Sequence, residues 1–174
     1  MDWYQTLFAL IDMRSFSNLW YWIGLGVIWS SASHWVLGIP YDMISRGRRD
    51  GGQALADVET MVRINITRML HATRNHGPVL IGVLCFMVTV LGLLGFWYDV
   101  EFAQAVLFLF VPLVILGYLS VRTSYKIECG EDQGDALFRR LTWHRLSVQF
   151  LGMISIFITS LYGMYVNIHI VMPG

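Results

Sequence analysis

The chain alternates between long apolar stretches and two strongly basic polar segments. The apolar stretches contain no Asp, Glu, Lys or Arg, and they cover about residues 18–39, 79–97, 102–121 and 146–170. Because an α-helix rises about 1.5 Å per residue, about 20 residues cross a hydrocarbon layer about 30 Å thick. The pattern therefore predicts an all-α integral membrane protein in which four transmembrane helices form a single domain over residues 1–174.

The polar segment between the first two predicted spans, residues 40–77, contains two kinds of pattern. Residues 41–53 include several glycines, and we predict an irregular basic turn there. The next part, from Ala54 to about Arg74, is predicted to be a cytoplasmic amphipathic helix that lies on the membrane surface or packs against another helix. Gly77-Pro78 is predicted to end it. Its apolar face consists of Leu55, Val58, Met61, Val62, Ile66, Met69 and Leu70.

The placement of the cations predicts how the chain is oriented in the membrane. Segments 40–77 and 122–145 hold all of the 12 Lys and Arg residues except Arg14. Short cytoplasmic loops of membrane proteins are enriched in these residues. We therefore expect both segments to be cytoplasmic and both termini to be periplasmic, in the inner membrane of a bacterium.

Composition agrees with the hydropathy pattern. Hydrophobic residues make up 56% of the chain and charged residues 14%, whereas about 25% of the residues in an average soluble domain are charged. The formal net charge is zero, and no nucleic-acid partner is predicted.

Residues 1–17 precede the first predicted span. No Lys or Arg precedes their apolar part and no small-x-small cleavage site follows at the right distance, so a cleaved signal peptide is not predicted. Residues 2–12 are instead predicted to form a short helix at the membrane interface. Ser15 or Ser17 is predicted to cap the helix that follows, because a hydroxyl accepts from the free N–H groups of a first turn.

Histidines are the first candidates for a cofactor site. Four of them, His34, His71, His76 and His144, are predicted to lie at one membrane level. His34 and His144 form a candidate pair, because neutral imidazole ligates haem and metal ions. Ser30-x-x-x-His34 is also similar to the small-x-x-x-His pattern of light-harvesting polypeptides, in which the histidine holds bacteriochlorophyll. The alternative, which we favour, is that these imidazoles hydrogen-bond to loops or headgroups and that no cofactor is bound.

Arginines next to the end of the first span are candidates for lipid binding. Arg46, Arg48 and Arg49 precede the predicted surface helix. Cations near the membrane surface attract anionic headgroups by about 1 kcal/mol each. We therefore predict anionic lipids as partners of these arginines, with the alternative that they only set the orientation of the chain.

Small residues in the fourth predicted span recur at helical spacing. Gly152, Ser155, Thr159 and Gly163 follow one another at intervals of three and four residues. Because lipid does not drive helices together by the hydrophobic effect, small residues that allow close approach favour association. The row is predicted to be a contact surface, either within the bundle, which we slightly prefer, or with a partner subunit.

Sequence motifs for catalysis are missing. The chain has no CxxC, no phosphate-binding loop, no HExxH and no Ser-His-Asp pattern, and its two cysteines, Cys85 and Cys129, are predicted to lie in different environments. None of the predicted spans contains an acidic or basic side chain, which proton-coupled transporters and pumps need. We therefore predict that the protein is not an enzyme.

Three stretches carry a resemblance to a known family. Residues 1–8, 12–22 and 33–43, which read MDWYQTLF, DMRSFSNLWYW and SHWVLGIPYDM, resemble a family of small alphaproteobacterial membrane proteins. These proteins are often labelled "component of SufBCD complex", which is an iron–sulfur assembly name. The layout is also similar to an uncharacterised family of four-span membrane proteins. The resemblance implies a membrane protein and supplies no catalytic residue.

These observations favour one function over two others. The first is a non-catalytic accessory or assembly subunit of a larger respiratory or photosynthetic complex, with other membrane subunits as partners. The alternatives are a haem-, metal- or pigment-binding membrane protein that uses the interfacial histidines, and a small transporter.

Overall fold

A computed structural model describes residue 16 and residues 18–130 and 133–171, with side chains up to residue 168. Within these ranges the chain forms five helices and one short hairpin. Their bounds are α1 Leu19–His34, β1 Trp35–Val36, β2 Ile39–Pro40, α2 Tyr41–Asp50, α3 Gly52–Phe96, α4 Glu101–Glu128 and α5 Gly134–Val171. The helix predicted at residues 2–12 lies outside the described residues.

Three of these helices, α3, α4 and α5, are long and apolar enough to cross a membrane. The protein is therefore a helical membrane protein. The predicted third span, including Pro112, lies inside α4. The predicted fourth span lies inside α5. Both helices also extend into segment 122–145, so most of this polar segment is helical.

Helix α1 is shorter than the predicted first span. It comprises 16 residues and ends at His34, so at about 1.5 Å per residue it is about 24 Å long, less than a typical hydrocarbon layer. Its N-cap is Asn18, whose side chain accepts from the Trp20 N–H at 3.0 Å, rather than Ser15 or Ser17. The predicted count of four spans stays a prediction.

A tight hairpin follows α1 and corrects the predicted end of the first span. Strands β1 and β2 pair antiparallel, with Val36 opposite Ile39. The two residues between them, Leu37 and Gly38, have φ values of 52° and 80°. Positive φ at both central residues is the conformation of the hairpin turns whose twist matches that of the strands. The hairpin reverses the chain so that α2 begins beside the end of α1.

The predicted irregular turn at 41–53 is wrong, because residues 41–50 form the helix α2. Gly47 is buried in this helix, and a Cβ added to it would lie 2.8 Å from Cγ2 of Val58 in α3. The glycine is thus needed for close approach of two helices and not for flexibility. The turn is confined to Gly51, where φ is 62°.

The predicted helix break at Gly77-Pro78 is also wrong. Helix α3 runs without interruption through Pro78 and joins the predicted amphipathic helix to the second span. Proline removes one backbone hydrogen bond, but the helix is held on both sides of it. Val58, Val62, Ile66 and Leu70 are buried before it, and the apolar residues after it would leave backbone groups unsatisfied in lipid if the helix unwound.

The largest core of the described chain lies at one end of the bundle. We call this part, residues 36–77 and 122–145, the basic end. Eleven buried hydrophobic residues form its core: Val36, Ile39, Ile44, Val58, Val62, Ile66, Leu70, Ile127, Leu137, Phe138 and Leu141. Polar contacts tie the same elements together. Glu59 Oε1 accepts from the Gly134 N–H at 3.0 Å, and Arg74 forms a bidentate ion pair with Glu128.

The rest of the bundle is packed more sparsely. We call α1 together with residues 79–121 and 146–168 the apolar half. Its buried hydrophobic cluster contains Leu25, Trp29 and Val148. In the most apolar 18-residue window of α3 only 6% is buried within the chain, whereas the corresponding value for α5 is 28%. The second predicted span therefore presents most of its surface outward.

Candidate functional site

A cleft at the basic end gathers charged residues from three elements. It is lined by His34 at the end of α1, by Tyr41, Asp42, Ser45, Arg46 and Arg49 of α2, and by Arg145 of α5. The hairpin places the start of α2 beside the end of α1. Within α2, positions 42, 45, 46 and 49 recur at intervals of three and four, which brings their side chains to one face of the helix. We call this group the arginine cleft.

Arg145 is held in place by an aromatic ring. Its Cζ lies 3.7 Å from the centroid of the Tyr41 ring, over the ring face. A guanidinium in this position is attracted by the negative ring face, and its plane becomes oriented. The Arg145 Nε is buried and has no hydrogen-bond partner among the described residues. Arg145 therefore lines the cleft with its guanidinium already oriented by the Tyr41 ring.

The other two arginines of the cleft are on the surface of α2. Arg46 and Arg49 are exposed. Arg49 Nε donates to Asp50 at 3.0 Å, and this hydrogen bond raises the pKa of Arg49 above its ordinary value. Because both side chains are exposed, they can rearrange around a ligand.

The three arginines predicted from the sequence to bind lipid are divided between two clefts. Arg46 and Arg49 line the arginine cleft, whereas Arg48 points to a second cleft with Asp135, Arg139 and Trp143. At about 100° per residue, positions 42, 45, 46 and 49 of α2 fall within one arc of the helix, and position 48 lies outside that arc, about 160° from position 46. Sequence reasoning missed Arg145, because nothing in the chain order connects residue 145 to residues 46 and 49.

The two histidines proposed as a cofactor pair line different clefts. His34 is exposed and belongs to the arginine cleft, while His144 is only 5% exposed and lines another cleft with Arg122 and Lys126. The Nδ1 of His144 lies 3.2 Å from the Thr123 hydroxyl. No group of three or more His, Cys, Asp or Glu side chains that could hold a metal ion occurs in the part of the chain that the structure describes.

The row of small residues in α5 faces the N-terminal part of the chain. A Cβ added to Gly152 would lie 2.9 Å from the ring of Trp29 in α1, and one added to Gly163 would lie 3.3 Å from Phe16. Ser155 and Thr159 are buried, and the Thr159 hydroxyl donates to the Ser155 carbonyl at 2.7 Å. The row therefore forms a contact within the bundle.

A second row of small residues, in the apolar half of α3, was missed by sequence reasoning. Gly82, Cys85, Thr89 and Gly92 follow one another at intervals of three, four and three residues, and the first three are exposed. A Cβ added to Gly82 or Gly92 would meet nothing within 4 Å. The Thr89 hydroxyl donates to the Cys85 carbonyl at 2.8 Å. We call these residues the α3 row; its spacing was visible in the sequence.

Comparison with protein-family models, with curated proteins and with solved structures finds no match to this chain.

Proposed function

We propose that the protein is a non-catalytic accessory or assembly subunit of a larger bacterial inner-membrane complex, respiratory or photosynthetic. The observation that supports this proposal best is the α3 row, a face with the spacing of a helix contact that the chain itself leaves uncovered. The resemblance to the small alphaproteobacterial membrane proteins is compatible with such a role and stays a hypothesis.

The chemistry of the α3 row suits a helix partner. In lipid, association depends on close packing, because burying apolar surface against another helix in place of lipid gives no hydrophobic gain. Small residues allow two backbones to approach, and the Thr89 hydroxyl already has its acceptor at Cys85. A partner helix would therefore not have to supply a hydrogen-bond acceptor for Thr89.

The packed core of the basic end would anchor the proposed subunit's helices. This core connects α2, α3 and the adjoining ends of α4 and α5. The continuous helix α3 extends from the core into the exposed second span. A partner that contacts the α3 row would thus be held by a helix whose other end is fixed by packing.

The alternative of a haem or pigment protein has less support. Bis-histidine ligation needs two imidazoles that face one site, and His34 and His144 line separate clefts. A visible absorbance spectrum of the purified protein tests this alternative. A cofactor band that disappears in His144→Ala would favour it over the accessory subunit.

The proposed function is tested by co-purification from native membranes. An affinity-tagged chain should isolate with a stoichiometric membrane-protein partner, identified by mass spectrometry after mild detergent extraction. The variant Gly82→Leu with Gly92→Leu should lose this partner while its own abundance stays normal, because a Cβ at either position meets no other atom of the chain within 4 Å.

The matched control is Gly26→Leu with Gly117→Leu, which changes two other glycines that have open space around them. This control should keep the partner. Isolation of the wild-type chain without any stoichiometric partner would contradict the proposal. Loss of abundance in the α3-row variant would show that the row packs within the chain, and would contradict it as well.

A further inference from the structure

We propose that the arginine cleft binds a phosphate group, held by Arg46, Arg49 and Arg145. The inference does not rest on the proposed function. It rests on the joint placement of cations from two helices, on the orientation of one of them, and on the position of the cleft relative to the apolar half.

The first argument is charge. Three guanidinium groups and His34 line the cleft together with one carboxylate, that of Asp42. Asp50 pairs with Arg49 from outside the cleft. The lining therefore keeps an excess of positive charge, and bringing three like charges to one place is unfavourable unless an anion or solvent compensates them. An anion of one or two charges matches this excess.

The second argument is geometry. A guanidinium presents parallel N–H donors that match two oxygens of a phosphate. Stacking on Tyr41 orients Arg145 before any ligand arrives, which lowers the entropy lost on binding. Arg46 and Arg49, being exposed, can reorient toward a ligand in the cleft.

The third argument is position. Arg145 directly precedes the apolar stretch that begins at residue 146, and His34 is the last residue of α1. The cleft therefore opens at the level where an apolar stretch meets a polar one, which is where headgroup phosphates lie in a bilayer. Ser45 adds a hydroxyl donor, and Asp42 adds an acceptor for a headgroup hydroxyl. Phosphate is thus the shared chemistry of two possible sources, an anionic lipid headgroup and free phosphate.

The test compares two charge-matched triple variants of the full chain, purified in detergent. The cleft variant carries Arg46→Gln, Arg49→Gln and Arg145→Gln. The control carries Arg48→Gln, Arg122→Gln and Arg139→Gln, three arginines that line other clefts. Binding of phosphatidylglycerol is titrated by native mass spectrometry, and inorganic phosphate is added as a competitor in a second series.

The expected result is that the cleft variant binds phosphatidylglycerol more weakly, by about fivefold for each arginine removed. The control should bind like the wild type. Displacement of the lipid by millimolar inorganic phosphate would assign the site to free phosphate, whereas lipid that is retained would assign it to a headgroup. Equal weakening in both triple variants would show that only net charge matters, and no weakening in either would leave no site. Both results would overturn the proposal.

A second set of variants keeps the test decisive if the cleft variant does not fold. Arg46→Gln and Arg49→Gln change exposed side chains only, and each should weaken binding on its own. Tyr41→Leu removes the ring that orients Arg145 but no charge. It should also weaken binding, whereas a site that depends on charge alone would not respond to it.

Discussion

The basic end and the apolar half of this protein consist of the same long helices, yet they are packed in different ways. The basic end buries eleven hydrophobic residues in one cluster, while the cluster of the apolar half contains three. Where water is the solvent, removing apolar surface from it drives helices together. Where lipid is the solvent, that force is lost and only close contacts remain.

This difference explains where the glycines are needed. At the basic end, Gly47 lets α2 approach α3, and in the apolar half Gly152 lets α5 approach the ring of Trp29. The glycines of the α3 row have open space around them. Close packing in the apolar half thus occurs where α1 meets α5 and also where α3 meets α4, since a Cβ added to Gly95 would lie 3.0 Å from Cγ of Gln104. The face of α3 that carries the α3 row is left for lipid or for a partner.

Deleting a core side chain at the basic end should have the largest effect on stability. Leu70 is fully buried there, and Leu70→Ala should lower the free energy of unfolding by about 2–5 kcal/mol, because a cavity remains. The matched control is Leu93→Ala in the apolar half of the same helix, where the side chain is 54% exposed. It should change the free energy by less than about 0.5 kcal/mol. Unfolding by SDS titration in mixed micelles measures both, and similar losses would refute the contrast between the two regions.

Enlarging a glycine that packs within the apolar half should have an intermediate effect. Gly152→Leu forces side-chain atoms into the ring of Trp29, and overpacking of this kind costs about 1–3 kcal/mol. Adding Gly163→Leu should lower the abundance in the membrane further, because a Cβ at position 163 already lies 3.3 Å from Phe16. Gly82→Leu serves as the control and should leave abundance unchanged. Normal abundance of the Gly152→Leu variant would show that α5 does not depend on this contact.

The smallest effect is expected at the contact between α2 and α3. Gly47→Ala places a Cβ 2.8 Å from Cγ2 of Val58 and 3.1 Å from the carbonyl oxygen of Ala54. Overpacking exceeds the gain of about 1 kcal/mol that alanine brings to a helix, so we expect a net loss of about 1 kcal/mol. Gly26→Ala in α1 has open space around it and should be neutral or stabilising. The sign of the two changes, measured by thermal unfolding, decides whether Gly47 is a packing position.

The sequence by itself determined that this is a helical membrane protein, and three of its four predicted spans correspond to long apolar helices. Hydropathy is a local property: an uncharged stretch of about 20 residues is stable in lipid whatever its neighbours are. Helical periodicity placed Val58, Val62, Ile66 and Leu70 on one face, and these residues are buried. Periodicity carries this information because a helix can bury only one face against a single layer of neighbours.

Only the tertiary structure decided the features that depend on contacts between distant residues. Gly47 in α2 and Gly77-Pro78 in α3 indicated irregular structure, but packing across the bundle outweighed local preference and kept both segments helical. Leu37 adopts a positive φ that no local pattern favours. The way in which α2 packs against α5 decides that Arg46 and Arg49 share a cleft with Arg145, whereas Arg48 lines a different one. The order of residues along the chain does not predict this contact, because the two helices are about 100 residues apart.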